Sequence, residues 1–317
     1  MGLLQTLKDY YELSNPHLTG SVVLTAAGGR LLAASNSSSL LSELLQGEFW
    51  IVCAGTWLTS CSASCLNRIL EVENDRAMVR TCGRALPSGR ISPAHAACFS
   101  LATAVAGFGM LYRVQPVSAV LAAANIFIYA GIYTPMKQRA PSSTWWGAIV
   151  GAIPPLIGWT SHPSYSSSPS SSTSLAPSLP QNNLPASAFI LPTLMYLWQI
   201  PHTMAVCVKN LEDYHRGHFQ VLPVQQDARA AADIALGFTV AMCFPLSWSL
   251  ELVRPVAVPF LVGAHVALLG FAQRFRREPT ERRTAKQFFV ATIAYVPFVI
   301  CAMFLGGKQF VKPASQV

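Results

Sequence analysis

The strongest constraint on this chain is a row of apolar runs, each close to the length that crosses a bilayer, with the charged residues swept into the gaps between them. A membrane-crossing helix takes about 20 mostly apolar residues. Within lipid the backbone must satisfy its own polar groups, which leaves helices or closed barrels. Nine candidate spans follow, at about 16–34, 48–66, 94–112, 117–134, 144–161, 186–206, 232–252, 254–272 and 287–305. The first carries Arg30 near its end, where a long arginine stem can reach the interface. The seventh and eighth are parted only by a corner at 253–255, as in a hairpin. The expected fold is all-α, a polytopic membrane bundle.

Composition sharpens this. The chain is 52% hydrophobic and 11% charged, against about 25% charged in soluble domains. No hydrophilic block is long enough to bury a core of its own, so residues 1–317 are expected to form one domain, and nucleic acid is not an expected partner. The eight cysteines lie mostly inside apolar segments with no CxxC spacing, which suits small buried side chains. No cleavable signal or long Arg-rich leader precedes the first run. The start reads equally as the end of a processed presequence or as a short native N-terminus. Residues 162–185 are a Ser/Pro-rich stretch without formal charge, and they read as a disordered loop insertion.

Charge placement orients the bundle. If the N-terminus and the loops after spans two, four, six and eight share one side, that side holds 17 of the 22 Lys and Arg residues. The other holds only Arg30, Arg113, Arg254, Lys308 and Lys312. By the positive-inside rule the rich side faces the cytoplasm or matrix. The same side collects Glu71, Glu73, Asp75, Glu212 and Asp213, so two acidic patches far apart in sequence share one membrane face.

The first patch, in NRILEVENDRAMVRTCGR, sets Asn67, Glu71 and Asp75 at i, i+4 and i+8, one face of a helix. Mg²⁺ prefers oxygen ligands, and one or two carboxylates plus phosphate oxygens suffice. Arg76, Arg80 and Arg84 add forked donors suited to phosphate. From spacing alone this is either a diphosphate cradle or a solvated charged loop. The second patch, KNLEDYHRG, offers Asp213, with Glu212 as alternate, and Lys209, which is expected to pair with Asp213 or to reach a phosphate. Taken alone it also reads as an interfacial salt-bridge cluster. YTPMK places Tyr133 and Lys137 beside a proline expected to stop the fourth span, and both also suit interface anchoring. WQIPH puts His202 inside an apolar run, where an ionisable residue is a functional candidate or a packed histidine. GAIPPLIGW sets two prolines inside the fifth span, which points to a kink beside a cavity.

Together these segments resemble the UbiA superfamily of intramembrane prenyltransferases and, within it, the protohaem IX farnesyltransferase family. LSNPHLTGSVVLT, NRILEVENDRAMVRT, RALPSGRISP, YTPMK, GAIPPLIGW, WQIPH and EDYHRGHFQVLPV follow in that family's order, over about 13–223. GAIPPLIGW with WQIPH is the most specific part, since it separates haem farnesylation from quinone-type prenylation. The sequence departs from the family pattern in NPH, RAL, Cys82, the HRG after Asp213, and Thr203.

The resemblance implies a nine-helix bundle with a cavity opening toward the matrix or cytoplasm. It also implies transfer of the farnesyl group of farnesyl diphosphate to a vinyl group of haem b, giving haem O on the route to haem A. By the same resemblance Asn67, Glu71 and Asp75 hold Mg²⁺ and diphosphate, with Asp213 opposite. Arg80 and Lys137 steady the phosphates, and His202 lies near the haem cavity. The implied setting is the mitochondrial inner membrane with the site toward the matrix, or else a bacterial plasma membrane with it toward the cytoplasm. The implied partners are farnesyl diphosphate, haem b, the bilayer and the machinery that makes haem A next. Two rivals stand beside this: a UbiA-type transferase acting on an aromatic or quinone precursor, and a transporter. Inverted repeats would favour the transporter, and no convincing repeat is found.

Overall fold

The computed structural model describes residues 3–34, 40–166, 184–250 and 253–305. Most of the Ser/Pro-rich insertion, and with it the expectation of disorder there, lies outside them. The elements are α1 (Leu3–Leu13), α2 (Pro16–Ala34), α3 (Gly47–Leu70), α4 (Val72–Ala77), α5 (Pro93–Val114) and α6 (Pro116–Phe127). There follow α7 (Ser143–Thr160), α8 (Ile190–Lys209), α9 (Leu211–Arg216), α10 (Ala228–Ala241), α11 (Cys243–Leu250), α12 (Val258–Arg277) and α13 (Arg282–Leu305). No β-strand occurs among the described residues. The protein is an all-α membrane protein.

Among the described residues, helix falls on each of the nine expected spans, but six helical stretches are long and apolar enough to cross a membrane on length and composition: Gly47–Leu70, Pro93–Val114, Pro116–Met136, Ala228–Leu250, Pro255–Arg277 and Arg282–Phe304. The other three expected spans fall on α2, α7 and α8. These are the inner helices. α2 packs along α7, α7 on α8, and α8 on α10 and α13. A helix covered by protein need not be apolar all round, so α2, α7 and α8 carry Thr, Arg, His and Pro without lipid contact on every side.

Close approach makes that centre. A Cβ at Gly158 would overlap the carbonyl oxygen of Ala26, and one at Gly29 would overlap that of Pro155. Small residues at facing positions let α2 and α7 touch backbone to backbone, the usual device where lipid supplies no hydrophobic drive between helices. Pro154 and Pro155 are both buried inside α7, which continues through them.

Pro135 does not stop the fourth span as expected. After α6 the chain widens into a π-turn at Ile128–Tyr133 and stays helical to Met136. Proline has no N–H to give, and just before it both the backbone N–H and the side-chain hydroxyl of Thr134 donate to the carbonyl of Tyr129, the hydroxyl at 2.8 Å. Arg30 also departs from expectation. Its side chain is fully buried, not extended to the interface, because Glu43, Gln46 and the carbonyl of Ser161 meet it inside the protein.

Candidate active site

α3 ends at Leu70, and Glu71 takes a non-helical backbone (φ −105°, ψ 15°) before α4 begins. The i to i+4 pattern survives the break. Glu71 N–H donates to the carbonyl of Asn67 at 3.0 Å, and Asp75 N–H to that of Glu71 at 2.8 Å. Asn67, Glu71 and Asp75 therefore keep the register that their spacing predicts. Each has an internal partner. Asn67 Nδ2 donates to Thr134 Oγ1 at 3.0 Å, Glu71 Oε1 lies 2.6 Å from Lys137 Nζ, and Asp75 Oδ2 accepts from Arg84 Nη1 at 2.8 Å.

Both carboxylates are buried, Glu71 to 6% exposure and Asp75 to 3%. A buried charge persists only when it is paired. Burial pushes the Glu71 carboxyl up, and the Lys137 ammonium beside it opposes that shift. Burial alone would lower Lys137, yet Glu71 and the phenols of Tyr133 and Tyr129 outweigh it and hold the ammonium above the ordinary lysine value. Lys137 also sits 4.8 Å from the centre of the Tyr133 ring, and that ring stacks on Tyr129 at 5.5 Å.

The second acidic segment meets the first. Asp213 Oδ1, on α9, accepts from the backbone N–H of Val79 at 3.1 Å. Asn74 Nδ2 donates to the Gly217 carbonyl at 2.7 Å, and Gln138 Nε2 donates to Asn74 Oδ1 at 2.8 Å. Gln220 N–H donates to the carbonyl of Lys137 at 2.6 Å. Loops following the second, fourth and sixth expected spans are thus woven together on one face, which brings Asn67, Glu71, Asp75, Lys137, Tyr133, Arg84 and Asp213 into one neighbourhood.

Other expected residues lie elsewhere. Arg76 pairs with exposed Glu73 at 2.6 Å and is turned from the cluster. Glu212 is almost wholly exposed, 3.8 Å from Arg216. Arg80 is exposed at the rim and acts electrostatically on Lys209 and Tyr214. Lys209 does not pair with Asp213. Asn210 leaves helical geometry (φ −122°, ψ 31°), so the four-residue alignment is lost, and Lys209 Nζ lies 4.1 Å from the centre of the Phe289 ring. His202 is half-buried, with Nδ1 2.9 Å from Thr292 Oγ1. Its ring packs between Trp198 at 4.6 Å and Phe289 at 5.0 Å.

Sequence reasoning passed over three contributors. Asn74 clips the two acidic segments together, and Thr134 fixes Asn67. Arg68 is buried at the end of α3, 3.9 Å from Glu12 of α1. Asp9 and Glu12 also hold Arg90 at 3.0 and 3.3 Å, so α1 braces the loop that carries Arg84. The i, i+3 spacing of Asp9 and Glu12 was the available signal.

The donor set suits a hard cation. Its side chains offer carboxylate and amide oxygens, and Mg²⁺ uses one or two carboxylates together with substrate phosphate oxygens. Among the described residues no three His, Cys, Asp or Glu side chains converge on a closed metal cage.

Comparison with known proteins gives a consistent picture. Residues 22–293 match the model of the UbiA prenyltransferase family. The mitochondrial protoheme IX farnesyltransferase of Arabidopsis thaliana is 33% identical over 93% of this chain and 64% of its own length. That of Anaeromyxobacter sp. (strain Fw109-5) is 34% identical over 96% of this chain and 95% of its own. This chain therefore spans about two thirds of the Arabidopsis relative and nearly all of the bacterial one. Among solved structures, a digeranylgeranylglyceryl phosphate synthase superposes with a TM-score of 0.70 at 16% identity, covering 95% of this chain and 98% of its own. A UbiA homologue from Archaeoglobus fulgidus bound to GPP and Mg²⁺ does so with a TM-score of 0.60 at 10% identity, covering 93% and 99%.

Proposed function

The chain belongs to the UbiA prenyltransferase family, and on that premise we propose that it transfers the farnesyl group of farnesyl diphosphate to a vinyl group of haem b, producing haem O. The relatives named protoheme IX farnesyltransferase, at 33–34% identity over nearly the whole chain, support this acceptor and donor. The observation that carries the reading is the contact of Asp213 with Val79 N–H. It joins two oxygen-rich segments 134 residues apart at one end of an apolar bundle, where a diphosphate can sit with its prenyl tail among the helices.

The chemistry follows from the residues. The vinyl electron pair attacks C1 of the farnesyl group, and the allylic C–O bond breaks with its electrons going to diphosphate. The cation left beside the macrocycle is captured by water, which then loses a proton. Charge grows on the diphosphate as that bond breaks, so cations aimed there stabilise the transition state more than the ground state. Lys137 and Arg84 are such cations, and each is already held by the acid it would share, Glu71 and Asp75. Arg80 adds charge at the rim. Asn67, Glu71, Asp75 and Asp213 would hold Mg²⁺, which supplies further neutralisation of the leaving group when bound. The apolar helices exclude water from the allylic cation until the acceptor has reacted. His202, between Trp198 and Phe289, lines the wall given to the acceptor.

The site faces the side rich in Lys and Arg, which is the matrix in a mitochondrial inner membrane or the cytoplasm in a bacterial plasma membrane. Residues 1–317 act as one catalytic domain, and the product passes to the machinery that makes haem A.

Product analysis tests the reading. Membranes containing the protein, given farnesyl diphosphate, haem b and Mg²⁺, are expected to yield hydroxyethylfarnesyl haem and free diphosphate. Both should be suppressed by a chelator and by Asp75→Ala. A prenylated quinone precursor in place of farnesylated haem, or no Mg²⁺-dependent product with any acceptor, would overturn it.

A further inference from the structure

Beside the acidic site lies a recess of about 500 Å³ lined by Lys209, Asn210, Arg282, Arg283 and Lys286. Its volume falls in the range of small-molecule sites, about 300–1,000 Å³. Its charge is of one sign. Among the described residues no carboxylate lies within ion-pair distance of those four cations, whereas nearby Arg276 and Arg229 share the carboxylate of Asp233, at 2.5 and 3.5 Å. The charged side chains acting on Lys209 are Arg80, Arg282 and Lys286, again all cationic. Four cations held together without an acid favour an anionic ligand, and Arg282 and Arg283 bring the forked geometry that fits a carboxylate.

Behind Lys209, side chains of α8 and α13 form an aromatic file. Lys209 lies over Phe289, Phe289 packs on His202, and His202 stacks on Trp198 with an interplanar angle of 23°. The Trp198 indole N–H donates to the Thr292 carbonyl at 2.9 Å, which locks the file to α13. From Lys209 back to Trp198 is 11 residues of α8, or about 16 Å of helix. A polycation rim with a file of packed aromatic rings behind it suits a ligand with acidic groups on one edge and an apolar body that can lie along the ring edges.

Building on the haem-farnesylation reading, we infer that the Lys209–Arg282–Arg283–Lys286 rim binds the two propionate carboxylates of the porphyrin acceptor. The macrocycle then lies along Phe289, His202 and Trp198. Anchoring the propionate edge at the membrane surface sends the opposite, vinyl-bearing edge into the bundle, toward a prenyl group whose diphosphate is held by the acidic site. The rim thereby orients the acceptor, and the diphosphate keeps its own partners.

The test uses the full chain in zwitterionic nanodiscs with the triple variant Arg282→Gln, Arg283→Gln, Lys286→Gln. All three side chains are exposed, so the fold should tolerate their loss. KM for haem b is expected to rise about tenfold or more, with KM for farnesyl diphosphate within about twofold of the parent. Haem b dimethyl ester should lose the same factor with the parent protein, and the variant should lose nothing further with the ester. A raised KM for farnesyl diphosphate would assign the rim to the diphosphate and overturn the inference. So would an effect seen only when anionic phospholipid is added, which would assign the rim to lipid headgroups. If the parent farnesylates no haem, the acceptor reading fails, and absorbance titration of haem against parent and variant still decides the rim. Equal affinities would overturn it, and a tenfold difference would sustain it.

Discussion

Two clusters of charge stand at opposite ends of α3, one around buried Arg30 near Glu48 and one around buried Glu71 just beyond the other end, about 35 Å apart along the axis. They are built differently. At the Glu71 end, each acid has one cation, and some exposure remains: Lys137 is 13% and Arg84 29% open. At the other end the Arg30 side chain itself has no exposure, though Glu48, 3.5 Å from it, stands partly in the open. Its guanidinium donates to the Ser161 carbonyl at 2.6 Å and to Gln46 Oε1 at 3.1 Å, with Glu43 at 3.7 Å. Glu43 in turn lies 3.3 Å from His162 Nε2. An open pair can exchange its partner for an incoming phosphate, while a closed one can only hold helices together. In the proposed function, similar residue types therefore serve chemistry at one end and assembly at the other.

The largest expected effect probes the closed end. Removing one member of a buried ion pair costs about 3–5 kcal/mol, because the other charge is left uncompensated. Arg30→Met should therefore lower the thermal midpoint sharply and reduce the folded protein recovered from membranes. Turnover per folded molecule should stay within about twofold. A parallel fall in specific turnover would break the division between the two ends.

The next probes the open end with the opposite signature. Asp75→Asn keeps the shape but removes the charge that holds Arg84 and, in the proposed function, the metal. Loss of one electrostatic contact to a developing anion costs about 10²–10³ in kcat. Turnover should fall by that much while the thermal midpoint moves little. A smaller effect is expected of Asn74→Ala, which deletes hydrogen bonds worth about 1 kcal/mol each. Here KM for farnesyl diphosphate should rise a few-fold more than kcat falls, since the clip sets the spacing of the two acidic segments and touches no substrate. A variant with unchanged KM would show that Asp213 is placed without it.

The same contrast shows what could be read from the chain. The apolar runs at 94–112 and 117–134 became helices because lipid-facing length and hydropathy are local properties. The Asn67, Glu71 and Asp75 register was also legible, since backbone hydrogen bonds carry it through the break at Glu71. Arg30 was misread because its partners, Glu43 and Ser161, are 13 and 131 residues away, and a sequence pattern does not weigh a distant partner against the interface. Of the two roles open to Lys209, the pairing with Asp213 fails for a local reason: Asn210 interrupts the helix, and the cation turns to Phe289, 80 residues on. The bond from Val79 to Asp213 crosses 134 residues, so charge asymmetry placed both segments on one face, but their contact required tertiary structure.

The smallest effect concerns His162, just past the end of α7 in the closed cluster. Burial lowers its pKa from the ordinary 6.5. Glu43 opposes that shift, while Arg30 reinforces it. The hydroxyl of Ser164 meets its Nδ1 at 2.7 Å, and Glu48 also bears on it. A histidine held neutral in the fold but free to protonate when unfolded contributes no penalty above pH 6.5. Below that value the unfolded state gains protons first, so stability falls as pH drops toward the depressed native value. The parent protein should thus lose thermal midpoint between pH 7 and pH 5. His162→Gln, which keeps a hydrogen-bonding group near Glu43 but does not titrate, should lose less over the same interval. Equal slopes for parent and variant would mean that Glu43 holds the imidazolium in the folded protein, and the closed cluster would then be an ion pair at both of its ends.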